Sequence, residues 1–111
     1  MKLEAKKFLY DIQTACKAIE QFIAGKTLKD YENDLLLQSA VERQFMIIGE
    51  ALSQLIREWP EFEVKISNAG EIVDLRNVIV HGYSTVENQT VWGIIQGDLL
   101  VLGKEIDNLI R

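Results

Sequence analysis

Apolar side chains recur along this chain at helical spacing in four stretches. In the first, residues 2 to about 24, they fall at Ala5, Phe8, Ile12, Ala15, Ile19 and Phe22, widened by Leu9, Cys16 and Ile23. That is the broad stripe of a helix that lays one face on a core. Gly25 is placed to stop it, and the polar run from Lys26 to Asn33 reads as a loop. A second helix runs from about Asp34 to Trp59 and ends at Pro60, whose ring and missing N–H cannot continue it. In its middle Phe45-Met46-Ile47-Ile48 points apolar groups all round the axis, so this helix is expected to be covered on more than one side. Gly49 beside them costs about 1 kcal/mol of helix propensity against alanine, tolerable where another helix passes close.

A short connector, Glu61 to Ile66, leads to Ser67 or Asn68, either of which is placed to cap a third helix reaching His81. At about 100° per residue, Ile72, Leu75, Ile79 and Gly82 share one face, fit for the core. Ala69, Val73 and Val80 form a second apolar strip that contains Arg76, and Asp74, Asn77 and His81 form a third, polar strip. A helix this short with two apolar strips calls for a second covering surface, and a symmetric copy of the chain is the commonest supply. Ser84 to Asn88 reads as a loop, and from Glu87 or Asn88 a last helix carries Val91, Ile95, Leu99, Leu102, Ile106 and Leu109, joined by Trp92 and Leu100. No strand pattern or internal repeat competes. The expectation is one all-α domain over residues 1–111, four helices, mostly antiparallel with short links.

Composition narrows the class. With 48% hydrophobic residues in 111 the chain is long enough for a real core and is not disordered. Cys16 is the only cysteine and His81 the only histidine, so no internal disulfide forms and a zinc site fails on ligand count. The charged start Met1-Lys2-Leu3-Glu4-Ala5-Lys6-Lys7 lacks the apolar segment of a leader, and no run is long enough to span a bilayer. A soluble cytoplasmic protein is therefore expected. The net charge of −5 at pH 7 argues against coating nucleic acid by bulk electrostatics. The charge is uneven, however: six of the eight lysines lie in the first 29 residues, and Asp30 to Asp74 carries ten carboxylates. A local basic strip remains able to guide RNA, while the acidic body suits a protein partner.

The chemistry concentrates in Arg76-Asn77-Val78-Ile79-Val80-His81-Gly82-Tyr83. Arginine is a fixed cation with a fork of donors suited to phosphate oxygens, and histidine exchanges a proton near neutral pH. Together they are able to cleave a phosphodiester without a metal. With four arginines and three tyrosines in the chain, this spacing around the lone histidine arises by chance on the order of one time in a thousand. A plainer account also exists for His81-Gly82, since a histidine in a last helical turn followed by glycine is an ordinary terminator. Arg76 and His81 are about 140° apart on the helix and flank a groove rather than stack. Asn77 shares a line with His81 and is placed to hold one imidazole nitrogen. In a symmetric pair of such helices two Arg-His sets converge. On the second helix Glu42, Arg43 and Glu50 interrupt the apolar surface, either as a solvated edge or as the border of this cleft.

These residues resemble a known family. Arg76-Asn77-Val78-Ile79-Val80-His81-Gly82-Tyr83 is similar to the R-x4-H-x-Y signature of the HepT-like toxins of the HEPN superfamily. Val41-Glu42-Arg43-Gln44-Phe45-Met46-Ile47-Ile48-Gly49-Glu50-Ala51-Leu52 looks like that family's second block, which typically ends in Ile-Gly-Glu-Ala. The likeness covers nearly the whole chain, including helix order and a tryptophan early in the last helix, here Trp92. It implies a HEPN-type up-and-down antiparallel bundle of four to five helices, forming a homodimer whose Arg-His motifs meet at the interface and cut RNA without metal or cofactor. It further implies a toxin of a type VII HepT/MntA-like toxin–antitoxin system, neutralised by a minimal nucleotidyltransferase of the MntA type that adenylylates the motif tyrosine. Carried over by position, Arg76 and His81 are catalytic, Asn77 is supporting and Tyr83 is the modified residue. Two other classes stay open: a non-catalytic helical subunit that presents substrate to a nucleotidyltransferase, and a plain interaction bundle. A neighbouring reading frame for a nucleotidyltransferase favours the first two over the third, and RNA cleavage separates toxin from subunit.

Overall fold

In the computed structural model, which describes residues 1–82 and 85–111, the long helix in the middle of the chain carries most of the packing between helices. The helices are α1 (Leu3–Ile23), α2 (Leu28–Glu32), α3 (Leu35–Glu58), α4 (Ala69–His81), α5 (Asn88–Gln96) and α6 (Asp98–Ile110), with a 3-10 turn at Pro60–Val64. α3 lies against α1 on one side and α4 on another, and it also meets α2 and the 3-10 turn. α6 closes the bundle on α1. This is the all-α, HEPN-type arrangement that the resemblance implies. The core runs through Leu9, Ile12 and Ile19 of α1, Val41, Phe45, Ile48, Leu52 and Leu55 of α3, Ile72 of α4, and Val91, Leu102 and Ile106 near the end of the chain, all fully buried. Phe45 and Ile48 are buried and Met46 and Ile47 pack half-buried against the core, so α3 is covered on more than one side, as its all-round apolar segment implies.

Helix boundaries follow local chemistry. Gly25 takes φ +75, the left-handed conformation that side chains resist, and the chain leaves α1 there. The Lys26–Asn33 run is not all loop. Thr27 and Asp30 make a reciprocal capping box, Thr27 Oγ1 accepting from the Asp30 N–H at 3.2 Å and Asp30 Oδ2 from the Thr27 N–H at 2.9 Å. This starts α2 and turns Tyr31 inward, where it is fully buried and its ring meets Trp92 at 5.5 Å between centroids. Asp34 caps α3, accepting from the Leu37 N–H at 3.0 Å. The expected single last helix is instead two. Gly97, at φ −124 and ψ −82, lies outside helical geometry, so α5 and α6 fold toward each other around it.

Asn68 stands at the N-cap position of α4 without capping it. Its Nδ2 donates to the Asp98 carbonyl at 2.7 Å, tying the start of α4 to the start of α6, while Ser67 N–H and Oγ bond the Glu105 carboxylate of α6. Of the second apolar strip on α4, Ala69 is buried and Val73 packs half-buried against the core, so the bundle itself covers much of it; Val80 is half-buried as well. No helix among the described residues is long and apolar enough to cross a membrane.

Candidate functional site

Arg76 sits on α4 where it crosses α3, and Gly49 is what lets it sit there. A Cβ on Gly49 would collide with the Arg76 Cβ and come within 2.6 Å of its Cγ. The close helix approach expected from a glycine inside α3 is therefore made by one side chain, and that side chain is the motif arginine. Its stem is covered while its head reaches the surface, with 26% of the side chain exposed.

The head is held on two sides. Arg76 Nη2 donates to Glu50 Oε2 at 3.0 Å, and Nη1 donates to Asn77 Oδ1 at 2.9 Å. Glu50 is in turn steadied by Gln54, one turn along α3, whose Nε2 donates to Glu50 Oε1 at 2.9 Å. The Arg76 Nε is buried and has no partner among the described residues. Glu50 thus joins Arg76, 26 residues on, from across the helix pair, and the two sequence blocks form one unit. Asn77, read from sequence as support beneath His81, turns its oxygen to Arg76 instead; as the neighbouring residue it braces the guanidinium rather than the imidazole in this structure.

His81 is exposed in the last turn of α4, on the polar strip with Asp74 and Asn77, which are exposed too. The helix ends directly after it. The Gly82 N–H bonds the Val78 carbonyl at 2.7 Å, and the Gly82 carbonyl then accepts from both the N–H and Oγ1 of Thr85 at 2.7 Å. Tyr83 lies outside the described residues.

Beside the Arg76 head runs a groove of about 520 Å³ between α1 and α3, lined among others by Lys7, Phe8, Arg43, Met46, Glu50 and Arg76. Arg43 and Glu50, weighed from sequence as solvated edge or cleft border, both line it. On the far flank of α4 a second groove of about 450 Å³ separates α4 from α5 and carries Glu71, Asp74 and Glu87 on its walls. Among the described residues no group of three His, Cys, Asp or Glu side chains gathers to hold a metal ion. Three groups raised by burial lie apart from the site. Burial raises the Glu42 carboxyl above its ordinary range, and burial, with a smaller contribution from Glu42, raises the Tyr31 phenol. Burial likewise pushes the Cys16 thiol up to about 12, helped by the Glu20 and Asp107 carboxylates.

The chain matches the Ribonuclease HepT-like family over residues 12–109, a span that holds both sequence blocks and the whole of the site except Lys7, Phe8 and Asp11. It is 32% identical over 108 residues to a Methanocaldococcus jannaschii protein named for a proposed RNase activity, covering 96% of each chain. A Thermococcus cleftensis protein, whose name proposes a ribonuclease HepT, is 28% identical over 109 residues and 98% of each chain. A Caldanaerobacter subterraneus protein, again named for a proposed RNase activity, is 26% identical over 106 residues, 96% of this chain and 94% of its own. No solved structure matches the chain significantly. A family match over most of the length, relatives of the same size and an arginine–histidine helix crossing an Ile-Gly-Glu-Ala segment lead to one conclusion: the chain belongs to the HepT-like ribonuclease family.

Proposed function

We propose that this chain is the toxin of a HepT/MntA-like toxin–antitoxin pair, an endoribonuclease that cleaves RNA with Arg76 and His81 and without a metal ion. The observation that carries the reading is the aimed guanidinium: its stem locked over Gly49 and its head braced by Glu50 and Asn77, on the same short helix as an exposed histidine. Each Nη gives one hydrogen to its brace and has a second for a phosphate oxygen. A His81 imidazole takes the proton of the ribose 2′-hydroxyl. The 2′ oxygen attacks phosphorus, the bond to the 5′ oxygen breaks, and a protonated imidazole returns a proton to that leaving oxygen. Arg76 stabilises the charge that builds on the phosphoryl oxygens. One histidine per chain makes a symmetric dimer the natural assembly, with one imidazole as base and the partner's as acid. The products carry a 2′,3′-cyclic phosphate.

The antitoxin in this reading is a minimal nucleotidyltransferase that transfers AMP to Tyr83. AMP on that tyrosine sets a bulky anion two residues along the chain from His81, and its charge repels the RNA backbone. The test is cleavage of single-stranded RNA by purified protein with chelator present. Wild type is expected to cut and to leave cyclic-phosphate ends, and His81→Ala and Arg76→Ala each to lose on the order of 10²-fold or more. Cleavage by His81→Ala at the wild-type rate refutes the assignment.

A further inference from the structure

The Arg76 groove does not stop at α1. A second groove of about 540 Å³, lined by Lys2, Trp59, Phe62 and Lys65 among others, opens where the start of α1 meets the 3-10 turn. Phe8 walls the first groove and Trp59 the second, and their rings touch with centroids 6.2 Å apart, so the two grooves abut across this pair. Lysine ammonium groups sit at the walls of both: Lys7 Nζ lies 5.3 Å from the Phe8 ring centroid and Lys65 Nζ 5.4 Å from that of Phe62.

In a chain of net charge −5 the lining of this path is the exception. Among the described residues it carries five cations, Lys2, Lys7, Arg43, Lys65 and Arg76, against three carboxylates, Asp11, Glu50 and Glu61. Two of those carboxylates are already paired on the path, Asp11 with Lys7 at 3.1 Å and Glu50 with Arg76 at 3.0 Å. The groove on the opposite flank of α4 carries three carboxylates and, among the described residues, no lysine or arginine. A polyanion that reaches Arg76 is therefore repelled from the α4–α5 side and drawn along α1. Halfway along it meets the half-buried Trp59 indole, an aromatic face of the kind on which unpaired bases stack.

We propose that this path, from Arg76 past Arg43 and Lys7 to Trp59, Lys2 and Lys65, is the binding track for single-stranded RNA flanking the cut phosphate. It rests on the ribonuclease reading for its substrate and on its own geometry for its course.

The track is tested by anisotropy titration of a labelled single-stranded RNA long enough to pass Trp59, using His81→Ala protein to prevent cleavage. The double reversal Lys2→Glu/Lys65→Glu changes two exposed side chains. It is expected to weaken binding on the order of 10-fold at low salt and to flatten the slope of log affinity against log salt by about 1.4, the share of two lost phosphate contacts on a single strand. Lys29→Glu, beyond the other end of α1, is expected to leave both unchanged. In protein that retains His81 the double reversal should raise KM for the long RNA and spare cleavage of a dinucleotide. As a second readout, RNA should quench Trp59 emission in Trp92→Phe protein. Unchanged affinity and salt slope in the double reversal, or no quenching, overturns the track. RNA cut by the wild type while the double reversal binds normally overturns the track alone. RNA held with the expected slope but never cut by the wild type overturns the ribonuclease reading and leaves the track standing.

Discussion

Gly49→Ala probes the helix crossing on which the site depends. The new methyl would collide with the Arg76 Cβ and lie 2.6 Å from its Cγ, whereas relaxed carbon contacts need about 3.5 Å or more. The Arg76 Cβ is fixed to the backbone and cannot rotate away, so α3 and α4 must part by roughly 1 Å at this point. Overpacking of this kind costs about 1–3 kcal/mol, and alanine returns about 1 kcal/mol of helix propensity. Gly103→Ala supplies the reference. It lies inside α6, where an added Cβ meets nothing within 4 Å, so only the propensity gain applies. Subtracting one variant from the other cancels propensity and leaves the crossing, an expected gap of about 1–3 kcal/mol. Urea unfolding followed by helical circular dichroism measures both variants. Activity should fall further than stability, since a displacement of about 1 Å at a phosphate-binding group costs on the order of 10²-fold. A Gly49→Ala protein that is as stable as Gly103→Ala and cuts RNA like the wild type refutes the account of this crossing.

The other expected outcomes concern assembly, regulation and the lone thiol. Val80→Lys puts a charge on the half-buried end of the α4 apolar strip and should convert a dimer to monomer in sedimentation, with activity lost alongside; wild type that stays monomeric at micromolar concentration rules out a dimer through this face. Co-expression with a neighbouring nucleotidyltransferase should add AMP-sized mass to the peptide holding Tyr83 and none to Tyr83→Phe, and full neutralisation of the Phe variant without modification sinks that role. Cys16, with its thiol pushed from 9.0 to about 12, should react with iodoacetamide at pH 8 on the order of 10³-fold more slowly in native than in unfolded protein. Its raised folded value makes its contribution to stability complete below pH 9.0 and progressively lost toward about 12; a native thiol as reactive as the unfolded one contradicts this.

Periodicity located the helices because burial of a stripe is a property of each helix alone: the stripes read from sequence on α1, on α4 and over the last helical stretch are the faces found in the core. It missed what depends on single side-chain bonds. Thr27 and Asp30 build α2 out of a polar run through a capping box whose two members are visible in the sequence but carry no apolar signal. Gly97 breaks a helix whose apolar pattern runs on unperturbed, because the bend brings α5 and α6 together without changing which residues face inward. Asn68 looks like a cap by position and spends its amide on the Asp98 carbonyl, a partner thirty residues away that no local rule can supply. The site divides the same way. Arg76, Asn77 and His81 were legible as a cluster on one short helix, and Gly49 as a place of close approach. That the approaching group is Arg76, and that Glu50 receives its guanidinium, is a matter of register between two helices and is set only when both are packed.

That register resolves an apparent conflict in the site's electrostatics. A carboxylate 3.0 Å from the guanidinium competes with any incoming phosphate. The pair is open to water, with 26% of the arginine and 51% of the glutamate side chain exposed, and exposed pairs of this sort contribute about 0–1 kcal/mol. Glu50 therefore does little to neutralise Arg76 and costs little to share. Its effect is directional, because Gln54 holds the carboxylate from the other side. Position comes from elsewhere: the stem pressed over Gly49 fixes where the head emerges. Under the proposed ribonuclease reading, a covered stem with a weakly paired head separates the two demands on Arg76, to be held in place before substrate arrives and to give up its partner when substrate does.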